Sequence, residues 1–350
     1  MFGAGAAHAE EVVYVWNWAD YIGETTLADF TKETGIKVVY DTYDSPETVQ
    51  AKMQAGSTGY DVVIHSASSY GQAMIKGKMV QTLDKAKIPN ITGLDPKLVA
   101  DYDAYDPGLA YSVPYMWGTT GFTYNVDMIK ERMPDAPLDS ADMLFNPEVV
   151  KKFADCGVSF LDSPADVIPM ALAYLGLDPN SENPADYAKV EEMLKKVRPY
   201  IRTFDSAEYL TTLPNKSMCI AMNWSGDYAT ASTRAAEAGV QVNLAYTIPK
   251  TGGGLWFDAM FIPSDAKHKA NAEKFINFML RPDVIAKSTD FTNYANAVTA
   301  ATALSNPEVT GNPAIYPDAE TMKRCFGLKT LPGKVMRILT RTFSNFKTAS

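Results

Sequence analysis

Three short β-rich runs near the start of the chain decide its fold class: VVYVW at 12–16, IKVVY at 36–40 and YDVVI at 60–64. Each run is separated from the next by a segment long enough for one helix. Strands that alternate with helices are typical of βαβ units, whose strands lie side by side in a largely parallel sheet. The sequence therefore predicts an α/β fold.

Two extended stretches divide the chain of 350 residues, a length that suggests about two domains. Pro114 and Gly118 interrupt the run 109–124, which favours a crossing between domains over a single core strand. A second stretch, 242–263, would return the chain. Two crossings predict two lobes with a cleft between them. Lobe 1 would comprise 10–116 plus 257–304, and lobe 2 would comprise 117–256 plus 305–350.

The charge balance restricts the possible ligands. The chain has 32 Lys and Arg against 41 Asp and Glu, which gives a net charge of −9. It lacks the basic excess that nucleic acids and anionic membranes attract, so neither is an expected partner. The chain contains no run of about 18 apolar residues, so we expect no direct insertion into a membrane. Either the acidity serves solubility alone or the ligand is a cation.

The first nine residues, MFGAGAAHA, are small and apolar and close on an A-x-A cleavage pattern. They predict the remnant of a signal peptide and export to the periplasm. The alternative is a disordered tail.

Three cysteines are present, and none stands in a metal-binding motif. Cys156 precedes a strand-like run, and Cys219 lies inside another, so both are expected in one sheet region. A disulfide between two of the three cysteines and three free thiols both remain open at this point.

Motifs for enzymatic chemistry are missing. His8 belongs to the leader and His268 to a polar segment, which leaves His65 as the one candidate catalytic histidine. His65 stands beside Ser66, but this pair alone is not a catalytic triad. No nucleophile elbow, zinc motif or phosphate-binding glycine loop occurs. The sequence predicts no enzyme, no cofactor and no metal.

An aromatic residue close to a carboxylate recurs at the end of an apolar run in three distant places. We expect all three to follow strands, at the sheet edge where α/β proteins bind ligands. A ring face and a carboxylate together suit an ammonium group. Core packing and helix capping are the alternatives. The three instances are WADY at 18–21, WSGD at 224–227 and WFD at 256–258.

The whole chain after residue 10 resembles the periplasmic polyamine-binding proteins of bacterial ABC transporters, of the putrescine and spermidine type. The resemblance implies a type II periplasmic-binding-protein fold and a monomer that delivers a captured polyamine to a membrane permease. The segments that carry it are WNWADYI at 16–22, FTKETGIKV at 30–38, GSTGYDVV at 56–63, VPYMWGTTG at 113–121, CGVSFLD at 156–162 and FTNYANA at 291–297.

The resemblance also implies a ligand site in which rings box the methylene chain and carboxylates receive the ammonium groups. Putrescine carries about +2 and spermidine about +3 at neutral pH, so carboxylates match them without a metal. A disulfide between Cys156 and Cys219, with Cys325 unpaired, is implied in the same way. The implied ligand residues are Trp18, Asp20, Tyr21, Ser66, Asp166, Trp224, Asp227, Trp256, Asp258 and Tyr294.

The preferred polyamine stays open, with Trp256 favouring spermidine by its resemblance to spermidine-preferring members. Three other functions also stay open. The first is a polyamine-sensing receptor domain without a transport role, the second is an enzyme acting on amines, and the third is a binder of another solute on the same fold.

Overall fold

The computed structural model describes residues 11–43 and 46–349. The predicted signal-peptide remnant at 1–9 lies outside the described residues. The strands are β1 (Val12–Trp18), β2 (Lys37–Tyr43), β3 (Val62–Ser66), β4 (Ser112–Asn125), β5 (Val158–Phe160), β6 (Thr203–Phe204), β7 (Ile220–Trp224), β8 (Leu244–Thr247), β9 (Gly254–Phe261), β10 (Ala295–Asn296) and β11 (Phe326–Gly327).

Helices connect these strands. They are α1 (Thr26–Thr34), α2 (Pro46–Ala55), α3 (Gln72–Lys76), α4 (Pro96–Tyr102), α5 (Val126–Arg132), α6 (Asp142–Phe145), α7 (Pro147–Val150), α8 (Pro164–Tyr174), α9 (Pro184–Val197), α10 (Tyr209–Thr212), α11 (Ser225–Glu237), α12 (Lys269–Met279), α13 (Pro282–Thr292), α14 (Pro307–Thr310), α15 (Ala319–Arg324) and α16 (Gly333–Thr348).

The chain forms two compact units. Unit 1 contains the described residues up to Trp117, together with Phe257–Thr292 and Asn296–Pro307. Unit 2 contains Gly118–Trp256, Asn293–Ala295 and the described residues from Glu308 onward. The strands β4 and β9 each carry the chain from one unit into the other.

In unit 1 the predicted βαβ pattern is confirmed. Strand β1 pairs in parallel with β2 on one side and with β3 on the other, with α1 and α2 as the connecting helices. Strand β9 then adds to β3 in the antiparallel direction. Phe30 of α1 packs edge-on against Phe275 and Phe278 of α12, at ring-centroid distances of 5.2 and 5.3 Å. The sheet thus carries a packed helical layer, as burial of an α/β sheet requires.

Unit 2 has its own sheet and core. Strand β7 pairs in parallel with β5 and antiparallel with β4, and β8 pairs with the same part of β4. Buried side chains from β4, β5, β7, α8, α9 and α16 form one apolar cluster. Gly121 of β4 allows β8 to approach closely, because a Cβ there would lie 2.3 Å from the carbonyl oxygen of Thr247.

The expectation that 109–124 is not a single strand is wrong. Residues Ser112–Asn125 form one continuous strand, and every residue of it is buried. The pairings with β7 and β8 involve only Thr120 and the residues after it, so Pro114 interrupts neither ladder. A proline has a φ that suits an extended strand and harms it only where its missing N–H is needed.

The disulfide implied by the resemblance is confirmed. Cys156 and Cys219 are joined at an S–S distance of 2.05 Å across 63 residues. Cys219 directly precedes β7, and Cys156 stands two residues before β5, its neighbour in the sheet. Closing a loop of this length stabilises the fold by ~4 kcal/mol in the chain-entropy model. Cys325 is not in a disulfide, and burial raises the pKa of its thiol to about 11.

Candidate ligand-binding site

The first predicted aromatic residue, Trp18, ends strand β1 of unit 1. Its ring lies 4.4 Å from the ring of Tyr43, its partner in β2, and 5.5 Å from the ring of His65 in β3. Trp18 itself is half-buried. The two neighbouring strands therefore fix the orientation of the indole while part of its surface stays accessible.

Asp258 corrects the expectation that each aromatic–acid pair follows a strand. Both Trp256 and Asp258 lie inside β9. The second half of β9 pairs antiparallel with β3, so Asp258, where this pairing begins, stands opposite Ser66 at the end of β3. Asp258 is thus at the carboxyl edge of the parallel strands, as predicted, but reaches that edge from the opposite direction.

The Asp258 carboxyl has an unusual protonation equilibrium. Only 9% of the residue is exposed. Burial raises the pKa of Asp258 to about 7, although the nearby side chains of Tyr21 and Trp18 act in the opposite direction. Desolvation penalises the charged form of a carboxyl, and a bound cation would remove that penalty. The group is therefore suited to receive a positive charge.

The turn after β1 separates two predicted ligand residues. Tyr21 is buried, its ring packs edge-on against Tyr115 at 5.6 Å, and the Tyr115 hydroxyl donates to the Tyr21 carbonyl at 2.7 Å. Asp20 takes a left-handed φ of 52° and is exposed. The structure brings Tyr21 to Asp258 and leaves Asp20 at the surface of the turn.

Ser66 ends β3 and is half-buried. Its hydroxyl lies 3.0 Å from that of Ser68 in the following turn. Hydroxyl groups both donate and accept hydrogen bonds, so Ser66 and Ser68 add polar groups at the end of β3, where Ser66 stands opposite Asp258.

In unit 2, hydroxyl and indole donors hold Asp166 in the first turn of α8. One carboxylate oxygen accepts from the Thr120 hydroxyl at 2.7 Å and from the Trp224 indole at 3.3 Å. The other accepts from the Ser163 hydroxyl at 2.6 Å. These three donors fix the carboxylate plane, and Trp224 is fixed with it at the end of β7.

Two tyrosines clamp Asp227 in the first turn of α11. Tyr209 donates to one oxygen at 2.5 Å, and Tyr294 donates to the other at 2.7 Å. Burial raises the pKa of Asp227, while the two phenol hydroxyls oppose that shift. Each oxygen keeps a second lone pair, so the carboxylate can still accept a hydrogen bond from a cation.

Two glycines seat the aromatic rings of unit 2. The rings of Trp256 and Tyr294 meet edge to face at 5.2 Å. A Cβ on Gly118 would lie 2.4 Å from the Trp256 ring, and one on Gly226 would lie 2.6 Å from the Tyr294 ring. Any larger residue at either position would displace a ring, because carbon atoms do not approach so closely.

The ten predicted ligand residues thus divide between the units. Unit 1 holds Trp18, Asp20, Tyr21, Ser66 and Asp258, and unit 2 holds Asp166, Trp224, Asp227, Trp256 and Tyr294.

Sequence reasoning missed three of the residues that hold the carboxylates. Thr120, Ser163 and Tyr209 donate hydroxyl hydrogens to Asp166 or Asp227 but were not among the predicted ligand residues. Ser163 is the exception that a sequence signal could have found, since it stands three residues before Asp166 at the start of a helix.

Within the described ranges, no group of three or more His, Cys, Asp or Glu could hold a metal ion. No described helix combines the length and apolar character needed to cross a membrane.

The comparisons with known proteins define the class first. A solved structure of a putative spermidine/putrescine ABC transporter from Listeria monocytogenes superimposes with a TM-score of 0.85 at 31% identity, covering 97% of this chain and 100% of that one. The protein has the type II periplasmic-binding-protein fold.

Sequence comparison then gives the family. The model for bacterial extracellular solute-binding proteins matches residues 25–317, and the chain belongs to that family. The putrescine-binding periplasmic protein SpuD of Pseudomonas aeruginosa is 44% identical over 98% of this chain and 94% of its own length. The putrescine-binding periplasmic protein PotF of Escherichia coli is 45% identical over 97% of this chain and 92% of its own length.

Proposed function

We propose that this protein captures a linear polyamine in the periplasm and delivers it to the permease of an ABC transporter. One observation carries the proposal beyond family membership. Each unit holds a buried or half-buried aspartate beside aromatic rings, Asp258 in unit 1 and Asp227 in unit 2. We propose that the two units are the two lobes expected from the sequence.

Charge supports this ligand class. A buried carboxylate without a cation is costly, and an ammonium group offsets that cost through a charge-assisted hydrogen bond of about 1.5–3 kcal/mol. A diamine supplies one such group at each end. The Trp and Tyr rings then cover the methylene chain, and cation–π contact adds ~0.5–2 kcal/mol for an ammonium at a ring face. Asp166 would receive an ammonium group within unit 2.

The choice between putrescine and spermidine follows from the relatives. The two reported at 44% and 45% identity are both named as putrescine-binding. This favours putrescine over the spermidine that Trp256 favours from sequence. We therefore propose putrescine as the preferred ligand, with spermidine as the weaker one.

We also propose that the protein binds its ligand without converting it. His65 is buried and Ser66 bonds to Ser68, so these two residues do not pair as a nucleophile and its base. The relatives are binding proteins by name.

The test is calorimetric titration with putrescine and spermidine, with 1,4-butanediol as a control of equal chain length that carries no charge. We expect heat from both amines, tighter binding of putrescine and none of the diol. Mass spectrometry of the recovered amine should show it unchanged. Absence of heat with both amines would overturn the proposal, and equal binding of the diol would overturn its electrostatic basis.

A further inference from the structure

A buried histidine nitrogen in unit 1 lacks a hydrogen-bond partner in the fold. His65 in β3 is completely buried, and its Nε2 atom has no hydrogen-bond partner among the residues that the structure describes. An unsatisfied buried acceptor is costly, and the few that occur in native proteins call for an explanation. His65 is also the one candidate catalytic histidine of the sequence, and the proposed function gives it no role.

The hydrogen bonds of Tyr43 determine which tautomer His65 adopts. The Tyr43 hydroxyl donates its single hydrogen to the Ile64 carbonyl at 2.5 Å. The same hydroxyl lies 3.0 Å from His65 Nδ1. Because the hydroxyl hydrogen is already used, Nδ1 must carry a hydrogen and donate it to the Tyr43 oxygen. The Nε2 atom is therefore an unprotonated acceptor.

The imidazole is also neutral. Burial lowers the pKa of His65 to about 3, so the ring carries no charge near neutral pH. A neutral ring does not repel an approaching cation, and its Nε2 lone pair can accept an N–H from one.

The position of the ring connects it to the amine site. His65 contacts the ring of Trp18 at 5.5 Å and that of Tyr70 at 5.1 Å. Burial raises the pKa of Tyr43, and the negative charge of Asp258 adds to this, which places the Asp258 carboxyl near the Tyr43–His65 pair. Trp18 connects the two groups, because its side chain also reaches the Asp258 carboxyl, whose pKa it lowers.

We infer that His65 is a specificity-determining residue, whose Nε2 accepts an N–H from the same amine end group that binds Asp258. Tyr43 acts as a positioning residue, because it holds the tautomer that leaves Nε2 free to accept. The unit 1 site then selects an end group with at least two N–H donors, such as a primary ammonium. This inference rests on the proposed function and adds a second acceptor to its site.

Nitrogen NMR of protein labelled with ¹⁵N-histidine tests the inference directly. In the ligand-free protein we expect the Nδ1–H tautomer of His65. At saturating putrescine, the Nε2 resonance should shift as it accepts a hydrogen bond, while Nδ1 stays protonated. An Nε2–H tautomer, or an Nε2 resonance that does not move on saturation, would overturn the inference.

Two variants give an independent measurement by calorimetry. His65→Phe keeps a ring against Trp18 and Tyr70 but removes the acceptor, so binding should weaken about tenfold. Tyr43→Phe keeps the ring at position 43 and the His65 Nε2 atom. It removes the hydroxyl that fixes the His65 tautomer, so the loss of affinity should be smaller. Unchanged affinity in folded His65→Phe would contradict the role of His65 as an acceptor for the amine.

The two proposals can fail separately. If wild-type protein binds neither putrescine nor spermidine, the proposed function fails and this inference with it. If it binds but Nε2 does not respond, only the role of His65 fails.

Discussion

Asp258 of unit 1 and Asp227 of unit 2 are both aspartates whose pKa is raised by burial and lowered by neighbouring donors, yet the balance differs. Asp227 has a phenol hydroxyl on each of its oxygens. Asp258 lies deeper, and its pKa rises to about 7. Both carboxylates combine desolvation with hydrogen-bond donors, and the balance between the two determines how much each one gains from a positive partner.

The largest effect should come from removing the less stabilised carboxylate. We expect Asp258→Asn to weaken putrescine binding on the order of 100-fold, about 3 kcal/mol, because a buried ammonium loses its charged partner. Calorimetry at pH 8 measures the loss. The same variant should unfold at a higher temperature than ligand-free wild type, since a desolvated charge has been removed. Wild-type affinity in the variant would remove Asp258 from the site.

The pH dependence distinguishes Asp258 from the other groups. Its pKa is about 7 in the folded protein and about 4 when unfolded. Between these values the folded state holds more protons, so this group makes the free energy of unfolding fall as pH rises from about 4 to about 7. A cation binds the ionised carboxylate, so the affinity for putrescine should rise as pH rises. We expect putrescine to bind about tenfold more weakly at pH 6 than at pH 8.

The control for this prediction is Asp258→Asn, in which most of the pH dependence of binding between pH 6 and pH 8 should disappear. A slope that persists unchanged in the variant would show that another group is responsible. His65 is not a candidate, because its pKa is lowered to about 3.

A moderate effect should follow from loosening the clamp on Asp227. Tyr209→Phe removes one phenol hydroxyl from a residue that is fully buried. The variant should bind putrescine about fivefold more weakly, a loss of ~1 kcal/mol, because the carboxylate is less well positioned. Tyr294→Phe is the matched variant on the other oxygen. If Tyr209→Phe lowers the melting temperature and leaves affinity intact, the clamp is structural only.

The smallest effect is expected at Asp20. The resemblance includes it in the ligand site, but its side chain is exposed in the turn after β1. Exposed charges contribute about 0–1 kcal/mol, so Asp20→Asn should change putrescine affinity less than about fivefold at moderate salt. Calorimetry beside Asp258→Asn measures this directly. A large loss would show that Asp20 contacts the ligand.

Much of the fold could be predicted because it depends on local patterns. The alternation of β-rich runs and helices indicated β1–β3 and their crossovers, and no distant contact was needed to recognise it. The continuity of β4 could not be predicted, since Pro114 and Gly118 are locally unfavourable in a strand. Only the pairing partners show that neither residue interrupts the ladders of β7 and β8.

The site was predictable only in part, for a related reason. Trp18, Trp224 and Trp256 stand close in sequence to their acids, so a short-range pattern detected them. Tyr209 lies 18 residues from Asp227, and Tyr294 lies 67 residues from it. Such separations leave no periodic signal in a single sequence.

The sequence by itself determined the α/β class, the acidic charge and the aromatic–acid pairs, because each depends on composition or on neighbours along the chain. Only the tertiary structure decided that Asp258 is buried deeply enough to titrate near pH 7, that Asp227 is clamped by Tyr209 and Tyr294, and that His65 keeps a free acceptor. The physical reason is that solvation and hydrogen-bond partners are properties of a place in the fold. The identity of a side chain specifies neither.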